Sequence, residues 1–325
     1  MNHYELDVRF EFCNFVGIIF NYSLMKKILL LMVATAFIVG GCNKPTPEPE
    51  PGPEPEPLPE LIPIKLSTDI STKATDSSYE NGDKIGVYVV NNINGEAGNL
   101  ADSGNHLDNT KFTFNGTEWK ADKEVYWADQ TTPADFYCYY PYTASVSDIT
   151  ALTFSVEENQ SAIADYKASE LLWGKTTGAQ PSEEPVKITT KHALSNIIIY
   201  VTPGNGYTEE TLAAEDITVT VTGVKTTATL NLATGAVSAG GDLKNIVPHK
   251  ENGYWRALVV PQDIIGTEII KVTVGNNEYS LIQTVTFESN KQHKCTLKIN
   301  RIGEGVNISI GGWESADTDF GGTLE

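Results

Sequence analysis

Residues 111–120 read KFTFNGTEWK. Phe112 and Phe114 alternate with polar neighbours, Asn115-Gly116 supplies turn formers, and Thr117-Glu118-Trp119-Lys120 resumes the alternation. A period of two is what a strand with one buried face requires, and an Asn-Gly pair between two such runs predicts a β-hairpin with a two-residue turn. The same texture extends both ways. Upstream, residues 62–67 (IPIKLS) alternate, and 84–90 (KIGVYVV) form a β-branched run after the turn signal Asn81-Gly82-Asp83. Downstream, 125–127, 135–140, 149–156 and 171–174 read as short strands, with a helical turn expected within 159–169.

The stretch 176–185 (TTGAQPSEEP) is rich in turn formers and charge and reads as a linker. Beyond it, extended runs are expected at 186–190, 194–201, 216–224, 226–232, 257–260, 269–274, 279–287, 294–299 and 306–310. No long stretch carries a helical period. Many short strands punctuated by Gly, Asn and Pro indicate sandwiches and not βαβ units. The expected fold is all-β: two tandem antiparallel β-sandwich domains with few helices, spanning 61–180 and 181–325.

What precedes the body is not part of that fold. Cys42 follows Met25-Lys26-Lys27, an apolar run over 28–39, and Gly40-Gly41. A basic start, a short hydrophobic core, two small residues and a cysteine make a bacterial lipoprotein signal, with the Cys42 thiol receiving the lipid (palmitate among its acyl chains). The apolar run falls short of the roughly 20 residues of a spanning helix. Residues 25–41 are therefore expected to be the signal peptide. Residues 1–24 have no targeting logic and are expected to be an upstream extension from a start called too early, with Met25 the true start. From Pro45 to Glu60 proline alternates with glutamate, which reads residues 42–60 as a semi-rigid polyproline II spacer.

The formal net charge is −19, and residues 1–41 carry three acids and three bases, so removing them leaves it unchanged. That balance argues against nucleic acid as a partner. Only Cys138 and Cys295 remain after Cys42, too few for a disulfide framework. Either they bond to each other, or they are two buried free thiols.

Catalytic signatures are missing: there is no Gly-x-Ser-x-Gly elbow, no His-Glu-x-x-His and no phosphate-binding glycine loop. No enzyme activity, cofactor or metal is expected. His192, His249 and His293 lack ligand spacing, and Asp317-Thr318-Asp319 opens a calcium-loop pattern that no acid closes. In 135–140 (DFYCYY), alternation puts Phe136, Cys138 and Tyr140 on one face and Tyr137 and Tyr139 on the other. Tyr137 and Tyr139, with Trp119 and Trp127, are candidates for a sugar-stacking platform. Ordinary sandwich packing is the competing use.

Several segments occur in a definite order: residues 81–88 (NGDKIGVY), 134–142 (ADFYCYYPY), 170–174 (ELLWG), 191–197 (KHALSNI), 260–262 (VPQ) and 310–313 (IGGW). From about Leu61 to the end, the chain resembles the fimbrillin family, the lipoprotein-type pilins and accessory pilins of anaerobic Gram-negative bacteria. The resemblance implies transthyretin-like sandwiches, an outer-membrane, surface-exposed or fimbrial location, and assembly with other pilin subunits by donor-strand exchange. It also implies proteolysis beyond the first strand, and the matching bond here is Lys73-Ala74. Loss of 61–70 would expose an unpaired strand edge and an apolar groove, which an incoming strand repairs. The polar, glycine-containing tail after Trp313 would make a poor donor, which favours an accessory, anchor or tip subunit over a shaft pilin. Adhesion to a host or bacterial surface ligand fits that role. The alternative function is a surface glycan-binding lipoprotein of a polysaccharide-uptake system.

Overall fold

A computed structural model describes residues 60–71, 78–302 and the backbone of 305–314. Cys42, the segments flanking it, Lys73-Ala74 and the tail with Asp317 and Asp319 lie outside the described residues. The regular structure of the described body is nearly all strand, as the alternation predicts, with two short helices.

The first sheet has seven strands. In chain order these are β1 (Leu66–Ile70), β2 (Lys84–Asn91), β3 (Leu107–Phe114), β4 (Trp119–Ala121), β5 (Ala134–Tyr140), β7 (Leu172–Ala179) and β8 (Val186–His192). Their spatial order is β1-β8-β7-β5-β2-β3-β4. The β3–β4 hairpin forms where expected, but its turn is displaced by one residue. Phe114 pairs with Trp119, and Asn115 N–H donates to Glu118 O (3.0 Å), so Gly116-Thr117 are the loop. The cause is the Asn115 side chain. Its Oδ1 accepts from the Thr117 and Glu118 amides, and Gly116 takes the φ of 96° that a side chain would resist.

Central strands β2 and β5 are buried on both faces. Val87 pairs with Cys138 and Val89 with Phe136, and these residues join a smaller core with Ile64, Leu66, Val186 and Ile188. Tyr88 pairs with Tyr137, and both join a larger core with Tyr139, Leu194, Ile197 and Leu230. The parity assigned to 135–140 is observed, but neither face is left to solvent. Covering the second face is what makes runs such as KIGVYVV almost continuously apolar.

Two further sheets complete the body. One comprises β10 (Ile217–Leu230), β11 (Val237–Ile246), β14 (Gln262–Val274) and β15 (Asn277–Phe287), with β6 (Leu152–Ser155) pairing with part of β10. The other comprises β9 (Ser195–Pro203), β12 (His249–Lys250), β13 (Tyr254–Val259), β16 (Gln292–Ile302) and β17 (Gly305–Glu314). Pairing is antiparallel except for β1 with β8 and β9 with β16. Strands from both sides of residue 180 share the first sheet, because β8 joins β1 and β7, and Thr176 to Ala179 lie in β7 and not in a linker.

Helix α1 (Ile163–Ala168) lies within the expected 159–169 segment, and its buried Tyr166 sits 4.4 Å beneath the Arg256 guanidinium. Fully buried Gln160 precedes it. Its amide side chain accepts from Leu258 N–H and donates to Leu258 O, which replaces the water it lost. Helix α2 (Glu209–Ala213) was not expected from periodicity. A Thr208–Thr211 capping box supports its single turn. Strand β11 was missed too, since VSAGGDLKNI has no alternation and its pairing to β10 carries two register shifts.

Candidate functional site

The N-terminal segment 62–71 sits between two partners. On one side β1 runs parallel to β8, with Leu66 facing Val186 and Ile70 facing Thr190. Val186 N–H donates to Lys65 O (2.8 Å), and Ser71 N–H donates to Thr190 O (2.7 Å). On the other side Ile64 N–H donates to Val125 O, and Trp127 N–H donates to Ile62 O, both at 2.9 Å. The 125–127 run expected as a strand is thus a short bridge to this segment, centred on Pro63 and Tyr126. Residues 125–127 follow β4, which is last in the sheet order, whereas β1 is first. The sheet therefore curls until its two ends meet across this segment.

Alternation decides what each residue does there. Ile64 and Leu66 point inward and are buried, a stabilisation of about 1.5–3 kcal/mol each. Lys65 and Asp69 point outward into ion pairs with Glu183 (2.9 Å) and Lys187 (2.5 Å). Thr68, on the inward face, accepts a hydrogen bond from Trp119 Nε1–H at 2.8 Å. Tyr79, just past residues 72–77, packs edge-on against Trp119 (centroids 5.0 Å apart) and lies 3.0 Å from Thr190 Oγ1 through its hydroxyl. Burial raises the Tyr79 phenol well above its ordinary pKa. The result is a slot holding one extended segment, walled by β8, Trp119 and the 125–127 bridge.

The four aromatic residues considered for sugar stacking are core residues. Trp119 is 6% exposed, Trp127 3%, Tyr137 4% and Tyr139 1%. Trp127 packs on Phe136, and Lys175 Nζ lies 4.5 Å above the Tyr137 ring. Tyr139 OH meets Asn109 Oδ1 at 2.8 Å, and burial raises its pKa. A stacking platform needs an open ring face, and none of these has one. Tyr137 and Tyr139 are covered by the larger core on the second face of the first sheet, whereas Trp119 and Trp127 are packed into the smaller core.

Cys138 and Cys295 are not bonded to each other. Cys138 belongs to the smaller core and Cys295 to the larger, and burial pushes both thiols up to about 12. The histidines are dispersed. His192 Nδ1 is 3.0 Å from Glu170 Oε1, His249 Nδ1 is 2.6 Å from Ser161 O, and buried His293 packs edge-on to Phe287. Loss of solvation lowers His293 to about 4. Among the described residues no three acidic, histidine or cysteine side chains gather as a metal site.

Sequence reading identified 61–70 as a strand that matters, but missed its partners Thr190, Tyr79 and Trp119. No local signal pairs residue 68 with residue 119. The family model described as "Fimbrillin-like" matches residues 72–313. The chain is 27% identical over 258 residues to the "Putative fimbrium subunit Fim1C" of Bacteroides uniformis, covering 75% of this chain and 82% of that one. Its fold is similar to a crystal structure titled a "putative cell adhesion protein" from Bacteroides uniformis (TM-score 0.59, 23% identity, 78% of this chain and 98% of the other). A second, so titled from Bacteroides ovatus, superposes with a TM-score of 0.62 at 15% identity, over 80% of this chain and all of the other. With the all-β body in place and a family model covering most of its length, the chain belongs to the fimbrillin-like family.

Proposed function

We propose that this protein is a lipid-anchored fimbrial subunit that assembles with other subunits through the slot now filled by 62–71, in an accessory, anchor or tip position. The observation that carries this reading is the state of β1. It is a sheet-edge strand, held in a two-sided slot, and joined to the rest of the body through the segment that contains Lys73-Ala74. Cleavage there would leave β1 bound to the body by hydrogen bonds, ion pairs and apolar contacts alone. Its departure would expose the β8 edge and the Val186–Ile188 side of the smaller core, both costly in water until another strand enters. The name of the Bacteroides uniformis relative, a fimbrium subunit, supports the setting. Cys42 supplies the lipid attachment to the outer membrane, and 42–60 the spacer. Two sandwich units remain part of the proposal, with the first extended through β8 because Val186 and Ile188 lie in the smaller core.

The test is cleavage at Lys73 by a lysine-specific protease under native conditions, followed by size analysis with and without a peptide of residues 61–71. Ladder-like oligomers, or uptake of the peptide, support strand exchange. A demonstrated cut at Lys73 with neither outcome refutes it. Palmitate labelling that persists in Cys42→Ser would refute the anchor.

A further inference from the structure

Trp119 and its surroundings ask something specific of whatever strand fills the slot. Indole Nε1–H is a donor only, and this one is buried, with its ring set between Phe114 (centroids 5.1 Å apart) and Tyr79 (5.0 Å). Its acceptor, Thr68 Oγ1, comes from the slot's occupant and not from the walls. The next residue is read through its backbone. Thr190 Oγ1–H donates to Asp69 O (3.2 Å), and since that hydroxyl has a single proton, the Tyr79 hydroxyl must donate to Thr190 Oγ1 (3.0 Å). Thr190 is fully buried. Trp119, Thr190 and Tyr79 all lie beyond Lys73-Ala74 in sequence, so a cut there leaves this polar end of the slot with the body.

We propose that Trp119 selects the occupying strand, admitting sequences that place serine or threonine two residues after a buried aliphatic side chain. This rests on the strand-exchange reading and names the class of partner segment: aliphatic, spacer, aliphatic, spacer, hydroxyl, running parallel to β8. Ile64, Leu66 and Thr68 are the resident example. A valine in place of threonine fills the same volume but leaves the buried indole N–H without an acceptor. An orphaned buried donor weakens binding by roughly tenfold, within a range of about 5- to 150-fold. Serine keeps the acceptor and loses only a methyl group.

The test uses the full chain with residues 72–77 replaced by the recognition sequence of a specific protease. After cutting, fluorescent peptides LIPIKLSTDIS (residues 61–71), its Thr68→Ser form and its Thr68→Val form compete with the resident strand, followed by anisotropy. The expected order is threonine close to serine, with valine about tenfold weaker. The Trp119→Phe protein, cut in the same way, is expected to take the threonine and valine peptides equally. Equal uptake of threonine and valine by the Trp119 protein overturns the selection while leaving strand exchange standing. So does an unchanged preference in Trp119→Phe. Failure of all three peptides to enter overturns strand exchange itself, and the selection with it. Because only the peptide varies in the main comparison, misfolding of a variant cannot imitate the result.

Discussion

Leu66→Ala and Lys65→Ala alter neighbouring residues of one strand, on opposite faces, and their effects should differ sharply. Leu66 is buried opposite Val186, among Ile64, Ile85 and Ile188. Truncating a buried leucine costs about 2–5 kcal/mol, and an edge strand can settle into part of the void, so about 3 kcal/mol is expected. Lys65 is half-exposed and pairs with Glu183 at 2.9 Å, an interaction worth at most about 1 kcal/mol in solvent. Amide hydrogen exchange separates local from global loosening. Val186 N–H donates to Lys65 O and Ser71 N–H to Thr190 O, so both report on β1 leaving β8. A 3 kcal/mol loss confined to β1 speeds exchange at these amides about 100-fold, since each 1.4 kcal/mol is tenfold. Amides in the β10–β14 pair should keep wild-type protection. The reasoning is refuted if the two variants exchange alike, or if β10–β14 accelerates as much as Val186.

Other consequences follow from the packing. Gly174→Ala would place a Cβ 2.6 Å from the Thr189 carbonyl oxygen, a backbone atom of β8. Since that strand must shift, a loss of about 1–3 kcal/mol in urea unfolding is expected, and wild-type stability would count against the contact. His293 is neutral when folded because burial lowers it to about 4, against about 6.5 when unfolded. The unfolded chain binds the extra proton between those values, so stability should fall as pH drops from 6.5 towards 4, and His293→Gln should flatten that part of the profile measured by thermal unfolding. Cys138 and Cys295, buried with pKa values near 12, should resist iodoacetamide in the native protein and alkylate fully in urea, as intact mass will show.

Most strands were legible because their residues carry the period themselves. KFTFNGTEWK contains both arms of a hairpin, and DFYCYY contains its own two faces. The failures share one cause: they depend on what lies across from the residue. Asn115 moved its turn by accepting two backbone amides. Strand β11 exists because β10 has an edge to pair, not because VSAGGDLKNI favours extension. Tyr137 and Tyr139 alternate correctly with Phe136 and Cys138, yet alternation cannot say whether the second face meets water or another core.

By itself the sequence determined the all-β class, the family and the presence of an alternating segment at 62–67. These are encoded in short windows, where residue chemistry and a period of two suffice. Tertiary structure decided that 62–71 closes the first sheet between β8 and the 125–127 bridge. It also turned four aromatic residues into core and set Thr68 against Trp119, 51 residues away. Those outcomes depend on sheet curl and on which faces are covered. Both emerge only when distant strands pack, because the burial that drives them is shared among residues no local window contains.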